Sequence, residues 1–274
     1  MFRWDKKGDW WYGVVGNQVF KTRKHQNKLE FEGINEQFIK DYFGLSDNLN
    51  EIRRLTSKDE YSKNAFQEFW GLRIIRQDPW ECLISYVCAT YKSIAAIRHM
   101  LNNISKKFGD RTVFEGDDYY TFPSPQKLSQ AKIADLKDAG LGYRAKYVLE
   151  TSKRIQDKKF DLRGLKDLQY EQAKKELITL PGVGPKVADC ILLFSQDKFE
   201  AFPVDIWVKR IVLRHYGQCF PNTFVKKASD ESSLSTKSYE VINAFGREYF
   251  GKYAGYAQEY LFHYERTLQP KGSK

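Results

Sequence analysis

The sequence predicts an α+β fold in which a small N-terminal antiparallel β domain, residues 1–75, is followed by a mostly α-helical domain, residues 76–270. Three observations support this prediction. β-Prone runs flank Gly16-Asn17, which is a two-residue hairpin signal. From Asp78-Pro79 onward, apolar residues recur at helical spacing instead. A corner with glycines at 182 and 184 then separates two of the later helices.

The N-terminal part is predicted to be a β-meander followed by helices. Its strands are Trp10–Val15 and Gln18–Lys21 on either side of the turn, and Lys28–Glu32 after a short polar stretch. A helix is predicted to begin near Asn35, and residues 49–69 also have a helical pattern. This part therefore resembles a small sheet with helical cover.

The C-terminal part is predicted to be almost wholly helical. Asp78 is a good N-cap, and Pro79 suits the first helical position. A later amphipathic helix is predicted to end at Gly109, and another to begin at Ser124-Pro125. The polar segment 226–237 is predicted to be a loop.

The composition indicates a globular protein with a polyanionic partner. Hydrophobic residues make up 42% of the 274 residues, which is typical of a folded chain. The formal net charge is +10, which favours nucleic acid through phosphate neutralisation. A membrane surface or an acidic protein would explain the charge alone. We see neither an apolar run of about 20 residues nor a targeting segment, so we expect a cytoplasmic or nucleoid protein, or a nuclear one in a eukaryote.

The cysteines do not form a metal or disulfide motif. Cys82, Cys88, Cys190 and Cys219 include no CxxC pair. A zinc knuckle, a disulfide framework and a closely spaced iron–sulfur loop are therefore not expected. Reduced thiols are the simplest interpretation.

The segment Leu180–Cys190, with sequence LPGVGPKVADC, is the most informative in the chain. One helix is predicted to lead into it and another to leave from Lys186. Gly182 and Gly184 permit a tight turn and a close approach of the backbone. Because the second helix starts here, its free N–H groups can hold a DNA phosphate. A glycine turn alone would be ordinary, but the intact segment favours a DNA-binding hairpin.

Lys186 and Asp205 are the candidate catalytic residues. A helix start and partial burial would both disfavour the ammonium form of Lys186 and free a nucleophilic amine. A surface lysine that binds phosphate is the alternative. Asp205 is the one carboxylate in the apolar run 201–207, where it can cap a helix. A carboxylate beside an amine suits glycosidic chemistry, because it stabilises positive charge on the sugar.

The hairpin resembles that of the helix-hairpin-helix (HhH-GPD) superfamily, and in particular the eukaryotic-type 8-oxoguanine DNA glycosylase/AP lyases. Further segments resemble that family in the same order along nearly the whole chain: Phe2-Arg3-Trp4, Tyr42-Phe43-Gly44-Leu45, Gly71-Leu72-Arg73, Arg76–Leu83, Gly140–Val148 and Tyr253–Gln258. The resemblance implies a helical HhH-GPD glycosylase domain after the sheet, and duplex DNA with oxidised guanine as partner.

The resemblance also implies a mechanism. The damaged nucleotide is flipped from the duplex, Lys186 attacks the sugar and leaves a Schiff base, and β-elimination cuts the strand with the help of Asp205. No cofactor is required. A structural monovalent cation at the hairpin is typical of the family, and would be bound here by the main-chain carbonyls of Ile178, Leu180 and Val183.

The resemblance assigns residues to base and strand recognition. Cys190 and Phe262 correspond to the two faces that sandwich the flipped base, and Gln258 to the amide that reads its Watson–Crick edge. Tyr143 corresponds to the wedge that enters the duplex, and Arg144 to a reader of the cytosine left unpaired. Taken alone, these would be a buried cysteine, a core phenylalanine, a surface glutamine and surface packing.

The chain departs from the family at several positions. Tyr91-Lys92-Ser93 replaces a run of three asparagines, and Ala96 replaces a second cytosine-reading arginine. We therefore expect a weaker preference for cytosine opposite the lesion. Trp207 replaces a histidine, and Met1 stands where the family has a glycine whose carbonyl senses N7 of 8-oxoguanine. The resemblance therefore assigns no residue to that sensor.

Two alternatives remain open. The chain could be an HhH glycosylase for another damaged purine, although adenine and thymine-glycol branches usually carry an iron–sulfur loop and alkylation-repair members usually lack the lysine. It could also be a non-catalytic HhH DNA-binding module, which would not explain Asp205 or the set Cys190, Gln258 and Phe262. We expect a monomer, because chemistry on one base needs no symmetry.

Overall fold

The computed structural model describes residues 2–268, and its N-terminal part is a four-stranded antiparallel meander. The strands are β1 (Trp4–Lys7), β2 (Trp10–Val15), β3 (Gln18–His25) and β4 (Lys28–Glu32), and they pair in chain order. The predicted strands are confirmed, and β1 is an additional strand. It pairs with β2 so that Trp4 lies opposite Gly13, where any larger side chain would overlap the indole ring.

The rest of the described chain is mainly helical. Its helices are α1 (Glu36–Tyr42), α2 (Leu49–Thr56), α3 (Glu60–Glu68), α4 (Pro79–Ala89), α5 (Ile94–Phe108), α6 (Pro125–Ser129), α7 (Ile133–Leu136), α8 (Arg144–Gln156), α9 (Tyr170–Ile178), α10 (Pro185–Ser195), α11 (Ile206–Tyr216), α12 (Asn222–Asp230), α13 (Thr236–Phe250) and α14 (Ala254–Leu268). The predicted α+β fold, a small antiparallel sheet followed by a helical domain, is confirmed.

Two hydrophobic cores hold these elements. The smaller core lies between the sheet and α1, and is formed by Trp4, Val15, Phe20, Ile39 and Tyr42. The larger core extends through the helical part and also takes side chains from α2 and α3, where α3 packs against α14. The two parts are therefore linked by packing, and the boundary predicted near residue 75 stays a prediction.

Helix starts follow the caps read from the sequence. The Asp78 carboxylate accepts from the backbone N–H of Glu81 at 2.9 Å, and Pro79 is the first residue of α4. Ser124 caps α6 in the same way, through Lys127 N–H at 3.3 Å. Each cap satisfies a backbone donor that the helix itself leaves free.

A second sheet interrupts the helical part, against the prediction. Strands β5 (Arg111–Phe114) and β6 (Asp117–Tyr120) form a hairpin that packs on the N-terminal sheet. Its contacts include the stacked rings of Tyr12 and Tyr119, 6.3 Å apart, and the ion pair of Lys21 with Glu115 at 2.6 Å. The hairpin thus fastens the sheet to the helical domain.

The loop predicted at 226–237 is wrong. Helix α12 continues to Asp230 and α13 already begins at Thr236, so only five residues, 231–235, separate them. Glu231 accounts for the short link: its carboxylate accepts from the hydroxyls of Ser235 at 2.8 Å and Ser238 at 2.9 Å. Within residues 2–268, no helix is both long and apolar enough to span a bilayer.

Candidate active site and DNA-binding hairpin

The α9–α10 corner has the geometry of a backbone anion site. Gly182 adopts φ +78°, a left-handed conformation suited to glycine, and a Cβ there would lie 2.7 Å from the Tyr147 ring. Gly184 is the N-cap of α10, has open space where a Cβ would be, and makes no side-chain cap. Because Pro185 follows at the first helical position, the free N–H groups of the first turn face outward without a competing side chain.

The three predicted cation ligands surround the same turn. Ile178 ends α9, Leu180 begins the turn and Val183 closes it. The Leu180 carbonyl accepts from Val183 N–H at 3.1 Å, and a carbonyl oxygen keeps a second lone pair. These main-chain oxygens fit the hard donor type that a monovalent cation requires.

A buried carboxylate, that of Asp189, links the helices that form the α9–α10 corner. Asp189 on α10 is wholly buried, and it accepts from Lys174 Nζ at 2.8 Å and Asn243 Nδ2 at 3.0 Å. The hydroxyls of Tyr170 and Tyr239 also donate to it. This network joins α9, α10 and α13, and its ionised, fully hydrogen-bonded carboxylate fixes the helix that carries Lys186. No local sequence pattern around Asp189 predicts these partners.

The structure places Lys186 as the second residue of α10 and exposes its side chain. The partial burial expected from its apolar neighbours is wrong, because Val187 and Ala188 turn inward while Lys186 faces outward. The amine therefore lies at the surface of the corner, next to the exposed N–H groups of the helix start.

Asp205 is the N-cap of α11, as predicted. Its Oδ1 accepts from the backbone N–H of Val208 at 2.8 Å, and the residue is half-buried. The cap fixes one carboxylate oxygen and leaves the second available. An immobile carboxylate can stabilise positive charge without reorganisation.

The buried thiol of Cys190 is under the electrostatic influence of both catalytic candidates. The thiol is 5% exposed, and burial raises its pKa to about 12. The charges of Lys186, Asp205 and Glu259 all act on this thiol, although they come from α10, the start of α11 and α14. Charged groups from three separate elements thus lie within electrostatic range of Cys190, and burial keeps this thiol neutral.

Helix α14 contributes the predicted base-reading residues. Gln258 is 5% exposed, and its Oε1 is buried without a hydrogen-bond partner in the structure. It is therefore not the surface glutamine that its sequence position alone would suggest. Phe262, one turn later, is half-buried at the edge of the core. A buried acceptor left unpaired costs about 1–3 kcal/mol, which is typical of a group that awaits a ligand.

The opposite-strand candidates lie at the start of α8. Tyr143 is 56% exposed and its ring is 5.9 Å from that of Tyr147. Arg144 is buried at 4% exposure, donates to the Thr90 carbonyl, and stacks its guanidinium 4.4 Å from the Tyr143 ring centroid. The Arg144 hydrogen bond joins this turn to the loop that precedes Tyr91.

The departures from the family occupy distinct positions. Tyr91 is 89% exposed and has φ +55°, a left-handed conformation unusual for a tyrosine. Ala96 is half-buried on α5. Trp207 lies in the first turn of α11, two residues after Asp205, with the Arg210 guanidinium 5.5 Å from its ring.

A cavity of about 690 Å³ lies away from these residues. Asp78, Trp80, Phe122, Phe160 and Arg163 are among its lining residues. None of the residues assigned to catalysis, base reading or the hairpin lines this cavity. This cavity is therefore not where the residues assigned to the site lie.

A small antiparallel sheet, a helical domain and a hairpin with a lysine and a capping aspartate define a DNA-repair glycosylase of the helix-hairpin-helix class. The chain belongs to the HhH-GPD superfamily of base excision DNA repair proteins, which it matches over residues 84–221, and residues 1–83 match the 8-oxoguanine DNA glycosylase N-terminal domain. Sequence relatives and solved structures agree with this assignment.

The N-glycosylase/DNA lyase of Saccharomyces cerevisiae is 35% identical over 92% of this chain and 73% of that protein. A probable N-glycosylase/DNA lyase of Methanothermobacter thermautotrophicus is 36% identical over 72% of this chain and 64% of its own length. The Clostridium acetobutylicum 8-oxoguanine glycosylase/lyase, solved with duplex DNA that has cytosine opposite 8-oxoguanine, has a TM-score of 0.86 and 35% identity, covering 98% of this chain and 89% of that one.

Proposed function

We propose that this protein is a bifunctional DNA glycosylase/AP lyase that excises 8-oxoguanine from duplex DNA in base excision repair. One observation carries the proposal: the charges of Lys186 and Asp205, which come from different elements, both act on the buried Cys190 thiol. The unpaired oxygen of Gln258 lies on α14, whose next residue, Glu259, acts on the same thiol. The proposal therefore takes Lys186, Asp205 and Gln258 as the nucleophile, the carboxylate and the base-reading amide of one site.

The chemistry follows from the two charged groups. Once the nucleotide is flipped out of the duplex, the Lys186 amine attacks C1′ of the sugar. The C1′–N9 bond breaks, and its electron pair leaves with the purine. Asp205, held by its cap, stabilises the positive charge that develops on the sugar. The amine passes a proton to the departing purine. Protonation of O4′ then opens the C1′–O4′ bond and gives the Schiff base, and loss of a proton from C2′ drives β-elimination, which breaks the C3′–O bond on the 3′ side.

The base is recognised between a neutral thiol and a phenyl ring. Burial keeps Cys190 protonated, so its sulfur offers a polarisable face without a negative charge against the expelled base. Phe262 provides the opposite face. The Gln258 carbonyl oxygen accepts from the N1–H of an oxidised guanine, which satisfies an acceptor that is otherwise orphaned.

The hairpin holds the phosphate backbone. The open N–H groups around Gly184, together with the turn at Gly182, bind a phosphate next to the lesion. The carbonyls of Ile178, Leu180 and Val183 would bind the monovalent cation on the same turn, and that cation would add positive charge near the phosphate. No redox or organic cofactor enters this mechanism.

The opposite strand is contacted by the start of α8. The exposed Tyr143 enters the duplex where the lesion has left, and Arg144 donates its remaining N–H groups to the unpaired base. One active site acts on one nucleotide, so the proposal is for a monomer. The protein would work wherever the genome lies, in the cytoplasm or nucleoid of a prokaryote or the nucleus of a eukaryote.

A single incubation tests the proposal. The protein is mixed with end-labelled duplex that contains 8-oxoguanine, and the products are separated with and without hot alkali; the same duplex with guanine is the control. We expect cleavage of the lesion strand before alkali and none of the guanine control. Cleavage only after alkali would leave a glycosylase without lyase activity, and binding without cleavage in either lane would leave a DNA-binding module.

A further inference from the structure

Tyr147 on α8 has no part in the mechanism above, yet it contacts both the hairpin and the residue proposed to enter the duplex. Its ring covers Gly182, so that a Cβ on that glycine would lie 2.7 Å from Tyr147 Cδ2. The same ring is 5.9 Å from that of Tyr143, with an angle of 82° between the two planes. Tyr147 therefore connects the α9–α10 corner to the start of α8.

Helix α8 is attached to the corner at a second point. Arg154, two turns after Tyr147, donates from Nη1 to the Thr179 carbonyl at 2.9 Å, and Thr179 is the C-cap of α9. Tyr147 in turn lies one turn after Tyr143, so these two side chains are on the same side of α8. The helix is thus fixed against the hairpin, and its first residues extend from that fixed part.

The backbone before Tyr143 gives its side chain little support. Gly142 has φ +56° and ψ −129°, and a Cβ there would meet nothing within 4 Å. Tyr143 is the N-cap of α8, but its side chain makes no capping hydrogen bond and is 56% exposed. The direction of the Tyr143 ring therefore depends on the side chains that touch it, which are the Arg144 guanidinium and the Tyr147 ring.

The Tyr147 ring, rather than its hydroxyl, makes these contacts. Its atoms nearest to the position of a Gly182 Cβ are Cδ2, Cγ and Cβ. Its edge-to-face arrangement with Tyr143 is one of the two that aromatic pairs prefer, at centroid distances of about 4.5–7 Å. A leucine at position 147 would still cover Gly182 but would offer Tyr143 no aromatic partner.

We propose that Tyr147 is a positioning residue that aligns the Tyr143 wedge with the hairpin, so that the duplex is opened at the nucleotide whose phosphate the corner holds. The inference rests on the proposed function. The wedge and the Lys186 nucleophile must act on the same nucleotide. A wedge that can point elsewhere lowers the fraction of flipped nucleotide and so slows base removal, whereas the chemistry at a site that is already open is unaffected.

The test compares two single-turnover reactions of the full chain: removal of 8-oxoguanine, and cleavage of the same duplex with a preformed abasic site, where no base has to be unstacked. For Tyr147→Leu we expect base removal to be about fivefold slower and abasic cleavage to change by less than about twofold. Tyr147→Phe, which keeps the ring, should retain the wild-type rate. Tyr119→Leu, which removes a ring 6.3 Å from that of Tyr12, is the matched control and should leave the ratio of the two rates unchanged.

A double-mutant cycle separates alignment of the wedge from support of the hairpin. In a Tyr143→Ala background, Tyr147→Leu should slow base removal by less than about a further twofold, because no wedge remains to be aligned. Tyr147→Ala, whose new residue is a good helix former, should show the same loss as Tyr147→Leu, so the test does not depend on the folding of one variant.

The inference would be overturned by unchanged base removal in Tyr147→Leu or in Tyr143→Ala, or by equal losses from Tyr147→Leu in the two backgrounds. A loss of abasic cleavage as large as that of base removal would also overturn it, and so would a Tyr147→Phe variant as slow as Tyr147→Leu. A wild type that releases no 8-oxoguanine would overturn the proposed function instead, so the two failures are distinguishable.

Discussion

The α9–α10 corner, which we propose binds a DNA phosphate, and the loop at residues 90–93, where the chain departs from the family, are built differently. The corner rests on Asp189, which is wholly buried and accepts hydrogen bonds from four side chains. The loop presents Tyr91 at 89% exposure, in a left-handed conformation. The corner agrees with the family pattern, whereas the loop departs from it.

The rigid corner and the exposed loop meet two different requirements of the proposed enzyme, the positioning of the nucleophile and the reading of the opposite base. A nucleophile must meet one carbon atom, and a displacement of about 1 Å is costly, so the corner needs a rigid buried support. Reading the opposite base adjusts specificity by single hydrogen bonds, each worth about 1 kcal/mol, and an exposed loop can change these without disturbing the core. Chemistry and opposite-base preference can therefore vary independently.

The largest expected effect is the loss of strand cleavage when Lys186, in the corner, is replaced. Replacing Lys186 with Gln removes the amine that forms the Schiff base but keeps a polar side chain at the exposed position. We expect at least about a 1000-fold loss of strand cleavage, as for other removed nucleophiles, and loss of covalent trapping by borohydride. Lys237→Gln, at an exposed lysine on α13, is the matched control and should trap normally. Trapping that survives in the Lys186 variant would contradict the assignment.

The second expected effect is a loss of folding stability when the buried hydrogen-bond network of Asp189 is disrupted. Asp189→Asn removes the charge that receives Lys174 Nζ and two tyrosine hydroxyls, and leaves these buried donors partly unpaired. We expect the free energy of unfolding to fall by about 3 kcal/mol, measured by denaturant titration. Asp167→Asn, at an exposed aspartate, should change it by less than about 0.5 kcal/mol. Equal losses in both variants would mean that the network does not stabilise the corner.

The hydrogen-bond network of Asp189 is a feature that the sequence alone could not predict. The motif around Lys186 and the cap at Asp205 are local signals, so both could be placed before the structure was known. The partners of Asp189 lie up to 54 residues away in the chain, and no local pattern relates them to it.

The prediction of secondary structure from the sequence failed where the elements are short or exposed. Strand β1 and the hairpin strands β5 and β6 have four residues each, too few to establish an alternating pattern. The second half of helix α12, residues 226–230, was predicted to be part of a loop because it is mostly exposed and polar, with Ala228 as its one buried residue. The caps at Asp78 and Ser124 succeeded because they depend only on adjacent residues.

The two glycines of the corner separate an effect on folding stability, expected at Gly182, from an effect on DNA binding, expected at Gly184. Gly184 has φ −95° and open space, so Gly184→Ala should cost the fold no more than about 1 kcal/mol, mostly as a poorer N-cap. Its methyl group would stand where the phosphate approaches, so we expect about tenfold weaker duplex binding, measured by fluorescence anisotropy. Gly182→Ala should instead lower stability by about 1–3 kcal/mol, because of its φ of +78° and the Tyr147 ring. Unchanged duplex affinity in Gly184→Ala would show that the corner does not contact the backbone.

The smallest effect concerns the exposed loop. Without the asparagine and the second arginine of the family, excision of 8-oxoguanine should differ by less than about tenfold among the four opposing bases, since each missing hydrogen bond is worth about 1 kcal/mol. Strict dependence on cytosine would refute this expectation.

Tyr91→Asn should raise the preference for cytosine a few-fold, since an amide can pair with a base edge. The substitution should not lower stability, because asparagine tolerates the left-handed φ at this position. Tyr91→Phe, which keeps the ring but removes the hydroxyl, should retain the wild-type preference if Tyr91 acts by stacking. A change in Tyr91→Phe as large as that in Tyr91→Asn would show instead that the hydroxyl reads the opposite base.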